Sequence, residues 1–277
     1  MLGNIDCISL KISIITIVRN GMPFVEQTIK SVLVQTYKNI EYIVIDGAST
    51  DGTQAMIESH IIDGASIVYR SESDAGIADA FNKGLSLATG DYLLFLNADD
   101  MLIGSEIISK VAENIMRENC PVIMYGDCEV VERETSNFLY RATIKFSKKA
   151  FLRGKIFPHP STFTSNKYFE KYGEFDKNFK IAMDYEFFLR GVIKESIVHS
   201  PLLITRVRDG GISTRNQDKV VSEIILALKK NGYMNSLFDL NKLRAYYLIR
   251  RKSKKMLQFL AVYDLLNGIR NKLQRIK

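Results

Sequence analysis

The stretch "DYLLFLNADDML", Asp91 to Leu102, decides the fold. Tyr92, Leu93, Leu94, Phe95 and Leu96 form an apolar run without alternation, the pattern of a strand buried on both faces. The run ends abruptly in Asn97, Ala98, Asp99 and Asp100. Upstream, "KISIITIV" (11–18), "IEYIVID" (40–46) and "SIVYR" (66–70) repeat the apolar, β-branched pattern. Their starts lie roughly 25–30 residues apart, the spacing of repeated βα units. The intervals have helical periodicity: "PFVEQTIKSVLVQT" (23–36), "DGTQAMIESHI" (51–61) behind an Asp51 cap, and "GIADAFNKGLSLATG" (76–90) with Gly90 as a stop. Strand alternating with helix predicts an α/β fold, an open and mostly parallel central sheet flanked by helices. Residues 120–180 are less regular and aromatic-rich. "MDYEFFLRGVIKE" (183–195) predicts another helix, and helices over 217–231 and 238–277 close the chain.

The strand ends carry the chemistry. In an open α/β sheet, ligands bind beyond the carboxyl ends of the strands. The first strand is followed by Arg19, Asn20 and Gly21, the second by Asp46-Gly47-Ala48-Ser49. The third leads to Arg70, Ser71 and Asp74-Ala75-Gly76, the fourth to Asn97-Ala98-Asp99-Asp100. Adjacent carboxylates repel unless a cation sits with them. Oxygen ligands without His or Cys suit Mg²⁺ or Mn²⁺, which let substrate phosphates complete their shell. A diphosphate is therefore the expected partner. Asp46 could accept from a base or ribose, and Arg19 or Arg70 could offset phosphate charge. Each motif alone has a plainer reading as a turn, a cap or a solvated charge. Coincidence at four strand ends favours a site.

Totals narrow the classes. The chain has 277 residues, 46% hydrophobic and 25% charged, enough for one or two domains. Three cysteines, Cys7, Cys120 and Cys128, without a CxxC pair argue against a disulfide framework or a zinc site. No signal peptide or membrane span is read. The expectation is a cytoplasmic protein, in solution or at the inner face of the cytoplasmic membrane.

Four segments together resemble the inverting, GT-A fold glycosyltransferases of family 2, in their capsule- and lipopolysaccharide-type, non-processive branch. They are "ISIITIVRNG" (12–21), "IEYIVIDGASTDGT" (40–53), "SESDAGIADAFNKGLSLATGDYLLFLNADD" (71–100) and "FDKNFKIAMDYEFFLR" (175–190). The resemblance covers roughly residues 10–215 and implies a Rossmann-like catalytic domain over 1–215. Its nucleotide-sugar half would occupy about 10–100 and its acceptor half about 101–215, with a helical extension over 216–277. It implies a nucleotide-sugar donor, most often a UDP-sugar, a glycan or lipid-linked glycan acceptor, and Mn²⁺ or Mg²⁺. Thr16, Val18, Arg19 and Asn20 match the nucleotide-lining segment, and Asp46 the aspartate that pairs with the base. Asn97, Ala98 and Asp99 match the DxD motif, with Asn97 in place of the first acid. Asp99, with Asp100 beside it, is the implied metal ligand. Asp74 and Asp79 match donor contacts. His159, in "FPHPSTFTSNKYFEKYGEFD" (157–176), matches the acceptor side, and Arg208 with "DGGIS" (209–213) matches a loop over the site. Asp184 matches the catalytic aspartate, with Glu186 as the fallback base. Met183 replaces an acidic neighbour common in the family.

Charge is segregated. Residues 241–277 hold eleven Lys/Arg against Asp264 alone, leaving the first 240 at −3 of the net +7. Phe259, Leu260, Tyr263, Leu266, Ile269, Leu273 and Ile276 form an apolar stripe. The basic segment 248–277 thus reads as a membrane-surface helix, or as a helix packed on the catalytic domain or a homodimer partner. Nucleic acid is not expected, as no recognition motif accompanies the charge. A dehydrogenase is disfavoured because no GxGxxG follows a strand. A nucleotidyltransferase is disfavoured because "TIVRNGMPF" is not a glycine-rich phosphate loop. Asn97 and Met183 keep open a non-catalytic nucleotide-sugar-binding or membrane-scaffold protein.

Overall fold

The computed structural model describes residues 10–234 and Tyr247. Two compact units divide the chain, residues 1–231 and 232–277, and the first carries every element named below. The basic segment 248–277 lies outside the described residues.

One nine-stranded sheet organises the first unit. β1 (Ile12–Val18) runs parallel to β2 (Ile40–Asp46) on one side and to β4 (Tyr92–Phe95) on the other. β3 (Val68–Ser71) pairs in parallel with β2. It departs from the expected buried strand: Val68 is exposed because β3 forms the sheet edge. Beyond β4 the sheet becomes mixed. β8 (Thr162–Ser165) pairs antiparallel to β4 and to β6 (Ile123–Val131). β9 (Ile197–Arg208) runs parallel to β6, while β5 (Met101–Leu102) and β7 (Phe138–Ala142) add antiparallel pairs. The parallel arrangement thus belongs to the first four strands. The rest depends on pairings between residues distant in sequence.

Period-two alternation sorts β1 into two layers. Ile12, Ile14 and Val18 join a core with α1 (Val25–Leu33), α2 (Thr53–Ile62) and α4 (Ile107–Arg117). α1 buries Val25, Thr28, Ile29 and Val32, one helical stripe. On the opposite face, α3 (Ile77–Leu87) lies close against Ile15: a Cβ on Gly84 would stand 2.4 Å from its Cγ2. α2 starts after Asp51, whose Oδ1 accepts from the Thr53 amide at 3.1 Å and whose Oδ2 accepts from the Met22 amide at 3.0 Å. This carboxylate ties the two βα loops together.

A second core is aromatic. Phe81, Phe95, Phe175, Phe187 and Phe169 form a chain with centroid spacings of 4.7, 5.1, 4.7 and 4.8 Å. Each such pair adds about 0.5–1.5 kcal/mol beyond area burial. Asn82 of α3 locks the cluster, donating to the Phe175 carbonyl at 2.8 Å and accepting from its amide at 2.9 Å. This cluster seats α6 (Asn166–Tyr172) and α7 (Met183–Leu189). α7 stops six residues before the expected end: the Gly191 amide is taken by the Tyr168 hydroxyl at 3.0 Å. α9 (Gln217–Lys230) packs on α7 and belongs to the first unit. Short helices α5 (Lys148–Phe151) and α8 (Ile212–Arg215) complete the set among the described residues.

Candidate active site

A cavity of about 1100 Å³ opens where the β1 and β4 ends meet residues 154–160, the start of α7 and the segment after β9. Val18, Arg19 and Asn20 enter it from β1, Asp74 from the loop after β3, and Asn97 to Asp100 from β4. His159, Asp184 and Arg208 close it from the second half of the chain. Thr16, Asp46, Arg70 and Asp79 are not among its lining residues.

Local chemistry fixes each position. Asn20 adopts φ +53°, its amide donates to Ser49 Oγ at 2.7 Å, and its Oδ1 accepts from the Thr50 amide at 2.9 Å. The β1 and β2 ends are thereby joined. Asp46, at the last position of β2, is fully buried. Its Oδ2 accepts from the Ser49 amide at 3.0 Å, Gln54 Nε2 at 3.1 Å and Ser71 Oγ at 2.6 Å. Its Oδ1 has no hydrogen-bond partner. A buried acceptor left unpaired costs about 1–3 kcal/mol, so this oxygen is ready for an N–H donor. Asp74 lies over Gly47, where a Cβ would approach its Oδ2 to 2.3 Å. Its Oδ1 accepts from the Gly76 amide at 2.8 Å.

Three expected ligand contacts are placed otherwise. Thr16 is buried and accepts from the Tyr42 hydroxyl at 3.3 Å, on the core side of β1. Arg70 ion-pairs with Glu72 at 3.1 Å on the exposed edge strand. Asp79 accepts from the Ala75 amide at 3.0 Å and pairs with Lys177 at 2.7 Å, which hold its carboxyl down at about 2. It braces the turn carrying Asp74.

The two carboxylates after β4 are not equivalent. Asp100 is 1% exposed, accepts from Asn97 Nδ2 at 2.8 Å and from the Arg208 amide, and is pushed up to about 8 by burial and then by the charge of Asp99. The expected pair of metal ligands thus reduces to one outward carboxylate, Asp99. Its Oδ2 accepts from Arg133 Nη1 at 2.7 Å. Among the described residues, no group of three or more His, Cys, Asp or Glu is arranged around a common point. The donor set nonetheless fits a hard cation of the Mg²⁺ or Mn²⁺ type, which needs only one or two carboxylates when a diphosphate supplies the rest.

Arg133, which sequence reasoning missed, comes from the turn between β6 and β7. Its guanidinium stands 4.9 Å from the Phe24 ring, and that of Arg208 stands 4.6 Å from the same ring. Arg208 is 4% exposed and donates to Gln27 Oε1 at 2.6 Å and the Arg133 carbonyl at 2.9 Å, while its Nε has no hydrogen-bond partner. The residue expected on a closing loop is therefore a fixed part of the wall.

Asp184 sits in the first turn of α7 and lines the cavity. Burial, and then the charge of Glu223, push its carboxyl up to about 6, against the pull of the Tyr185 amide at 2.7 Å. Glu223 of α9, another residue the sequence did not single out, accepts from the amides of Lys180, Ile181 and Ala182 at 3.1, 2.9 and 2.8 Å. It fixes the turn that launches Asp184. Glu186 is withdrawn from the role of fallback base. It is fully buried, and although burial pushes its carboxyl up, Arg190 and Lys230 hold it below the usual range. His159 stacks on Phe95 at 5.6 Å and is pushed down to about 4 by burial, so it is neutral at pH 7.

Comparison with known proteins agrees with this architecture. Residues 13–183 match the family model described as Glycosyl transferase family 2. An uncharacterised glycosyltransferase of Mycobacterium tuberculosis (strain H37Rv) is 34% identical over 184 residues, 66% of this chain and 69% of that protein. A PGL/p-HBAD biosynthesis glycosyltransferase of Mycobacterium bovis is 28% identical over 197 residues, 71% of this chain and 73% of its own. Among solved structures, S. aureus TarS 1–349 in complex with UDP-GlcNAc superposes with a TM-score of 0.62 at 16% identity, covering 79% of this chain and 66% of that one. The mannosyltransferase PcManGT of Pyrobaculum calidifontis, in complex with GDP-Man and Mn²⁺, gives 0.61 at 16% identity over 82% of this chain and 66% of its own. These two likenesses bear on the fold, which is that of GT-A glycosyltransferases. With its α/β sheet, its strand-end cavity and a family match across 13–183, the chain belongs to glycosyl transferase family 2.

Proposed function

We propose that this protein transfers a sugar, with inversion, from a UDP-sugar to a hydroxyl of a glycan or lipid-linked glycan. The observation that carries the reading is the meeting of Asp99 and Asp184, from opposite halves of the chain, in one cavity. Asp46 Oδ1, unpartnered but shielded behind the cavity lining, would take the imide N–H of a uracil base only after the loop around it opens. Asp99 would hold a Mg²⁺ or Mn²⁺ ion together with the donor's diphosphate, and the ion would offset charge on that leaving group. Arg133, part-exposed beside Asp99, supplies further positive charge to a diphosphate, and Arg208 adds to it from within the wall. A guanidinium matches phosphate oxygens in a bidentate fork.

The transfer balances as a single displacement. The acceptor oxygen forms a bond to the anomeric carbon as the bond from that carbon to the diphosphate oxygen breaks. The bonding pair leaves with the diphosphate, and the acceptor proton passes to the Asp184 carboxylate. A base raised to about 6 is ionised at pH 7 yet closer to neutrality than an ordinary aspartate, which favours proton transfer. Asp184→Asn tests the assignment. UDP affinity should stay within about twofold while transfer from a UDP-sugar falls by 10²-fold or more, roughly the worth of a general base. Transfer persisting in that variant would remove Asp184 from the role, and product of retained anomeric configuration would overturn the single displacement.

A further inference from the structure

A surface beside the cavity carries charged and apolar side chains that the donor-site reading does not use. Between Phe138 and Lys155 the chain holds six Lys/Arg and no Asp or Glu. Lys145, Lys148, Lys149, Arg153 and Lys155 are exposed. The same segment begins with three consecutive large apolar residues on β7: Phe138, Leu139 and Tyr140 are 63%, 45% and 55% exposed. Among the described residues, β7 pairs only with β6, so its outer edge carries no strand. Tyr140, Ala142, Ile144, Gly154 and Ile156 of this segment line the cavity. The patch therefore adjoins the wall built from the second half of the chain.

Large apolar side chains left in water along an edge strand mark a binding surface, and charge decides what fits it. Arg141 is paired with Asp127 at 2.6 Å, but the segment still carries a run of exposed lysines, and a second copy of the chain would present the same excess of positive charge. Residues 241–277, with eleven Lys/Arg against one Asp, are of like sign and make a poor cover. A layer of anionic headgroups over an acyl interior satisfies both parts, attracting the lysines and receiving Phe138 and Leu139. We propose that residues 138–155 dock on an anionic lipid surface and bring the cavity mouth to acceptors held in that surface. The docking itself goes beyond the donor-site reading and does not depend on it; the delivery of acceptors rests on the proposed function.

The test is co-sedimentation of the full chain with phosphatidylcholine vesicles, with and without phosphatidylglycerol. The wild type should pellet with the anionic vesicles and remain in solution with the neutral ones. Two double variants, Phe138→Ser/Leu139→Ser and Lys148→Glu/Lys149→Glu, should each lower the partition coefficient by about tenfold or more. UDP titration of both variants checks that they are folded, since none of the four residues touches the donor side. Wild type that ignores anionic vesicles, or variants that partition like the wild type, would overturn the proposal. The latter outcome would move any lipid contact to residues 248–277. Failure of the wild type to bind UDP would count against the proposed function and leave the vesicle result standing.

Discussion

At the residue scale, the role proposed for Asp184 as the base sets function against stability. Its carboxyl is raised to about 6, against about 3.9 for an unperturbed aspartate. In that window the folded protein binds the proton that the unfolded chain has lost. Stability therefore falls as pH rises from about 4 to 6 and stays lower above it, by roughly 3 kcal/mol at most. Asp184→Asn should raise the thermal midpoint at pH 7 and flatten its dependence between pH 4 and 6; an unchanged or lower midpoint would argue against a strained carboxylate. The wild-type rate should rise with pH through about 6, since only the ionised carboxylate can take a proton. Arg133 gives a second expectation. Arg133→Ala should weaken UDP binding about tenfold or more, the worth of one charge-assisted hydrogen bond, and leave uridine binding unchanged. Equal losses for UDP and uridine would show a structural role instead. The positions of Asp46, Asp99 and Asp184 were legible in the sequence, each at a strand end or helix start marked by neighbouring residues; Asp99 and Asp184 line the cavity, and Asp46 lies behind it. Arg133 was not, because its importance comes from a turn 34 residues from Asp99 that folds back across the β4 end.

At the element scale, the first half was readable and the second was not, for a physical reason. β1, β2 and β4 are apolar runs at regular intervals, and parallel pairing through intervening helices follows from that spacing. β6, β8 and β9 are joined by pairings such as Ile123 with Ile197, which no local periodicity announces. The α9–α7 contact is equally non-local. Glu223 accepts three amides ahead of Asp184, so Glu223→Ala would leave buried donors unpaired and should cost about 2–4 kcal/mol and most of the activity. Glu223→Gln keeps an acceptor oxygen but removes a like charge from Asp184. It should retain the fold while shifting the acidic limb of the pH–rate profile to lower pH. A limb that moves upward, or not at all, would separate Glu223 from the titration of Asp184.

At the scale of the whole molecule, every described residue that lines the cavity lies in the unit that ends at Asn231. A chain cut after Asn231 should therefore retain UDP affinity within about threefold of the full chain, a difference below 1 kcal/mol. Among the described residues, no helix is long and apolar enough to cross a membrane. Docking through 138–155 is a charge-assisted surface contact of the kind screened by salt, and vesicle binding should fall as ionic strength rises. Everything proposed for the cavity depends on a nucleoside-diphosphate site, and calorimetric titration of the full chain with UDP, with and without Mn²⁺, examines that site itself. Binding that requires Mn²⁺ and weakens about tenfold or more in Asp99→Ala is the predicted result. No binding of UDP, GDP or dTDP under either condition would contradict it.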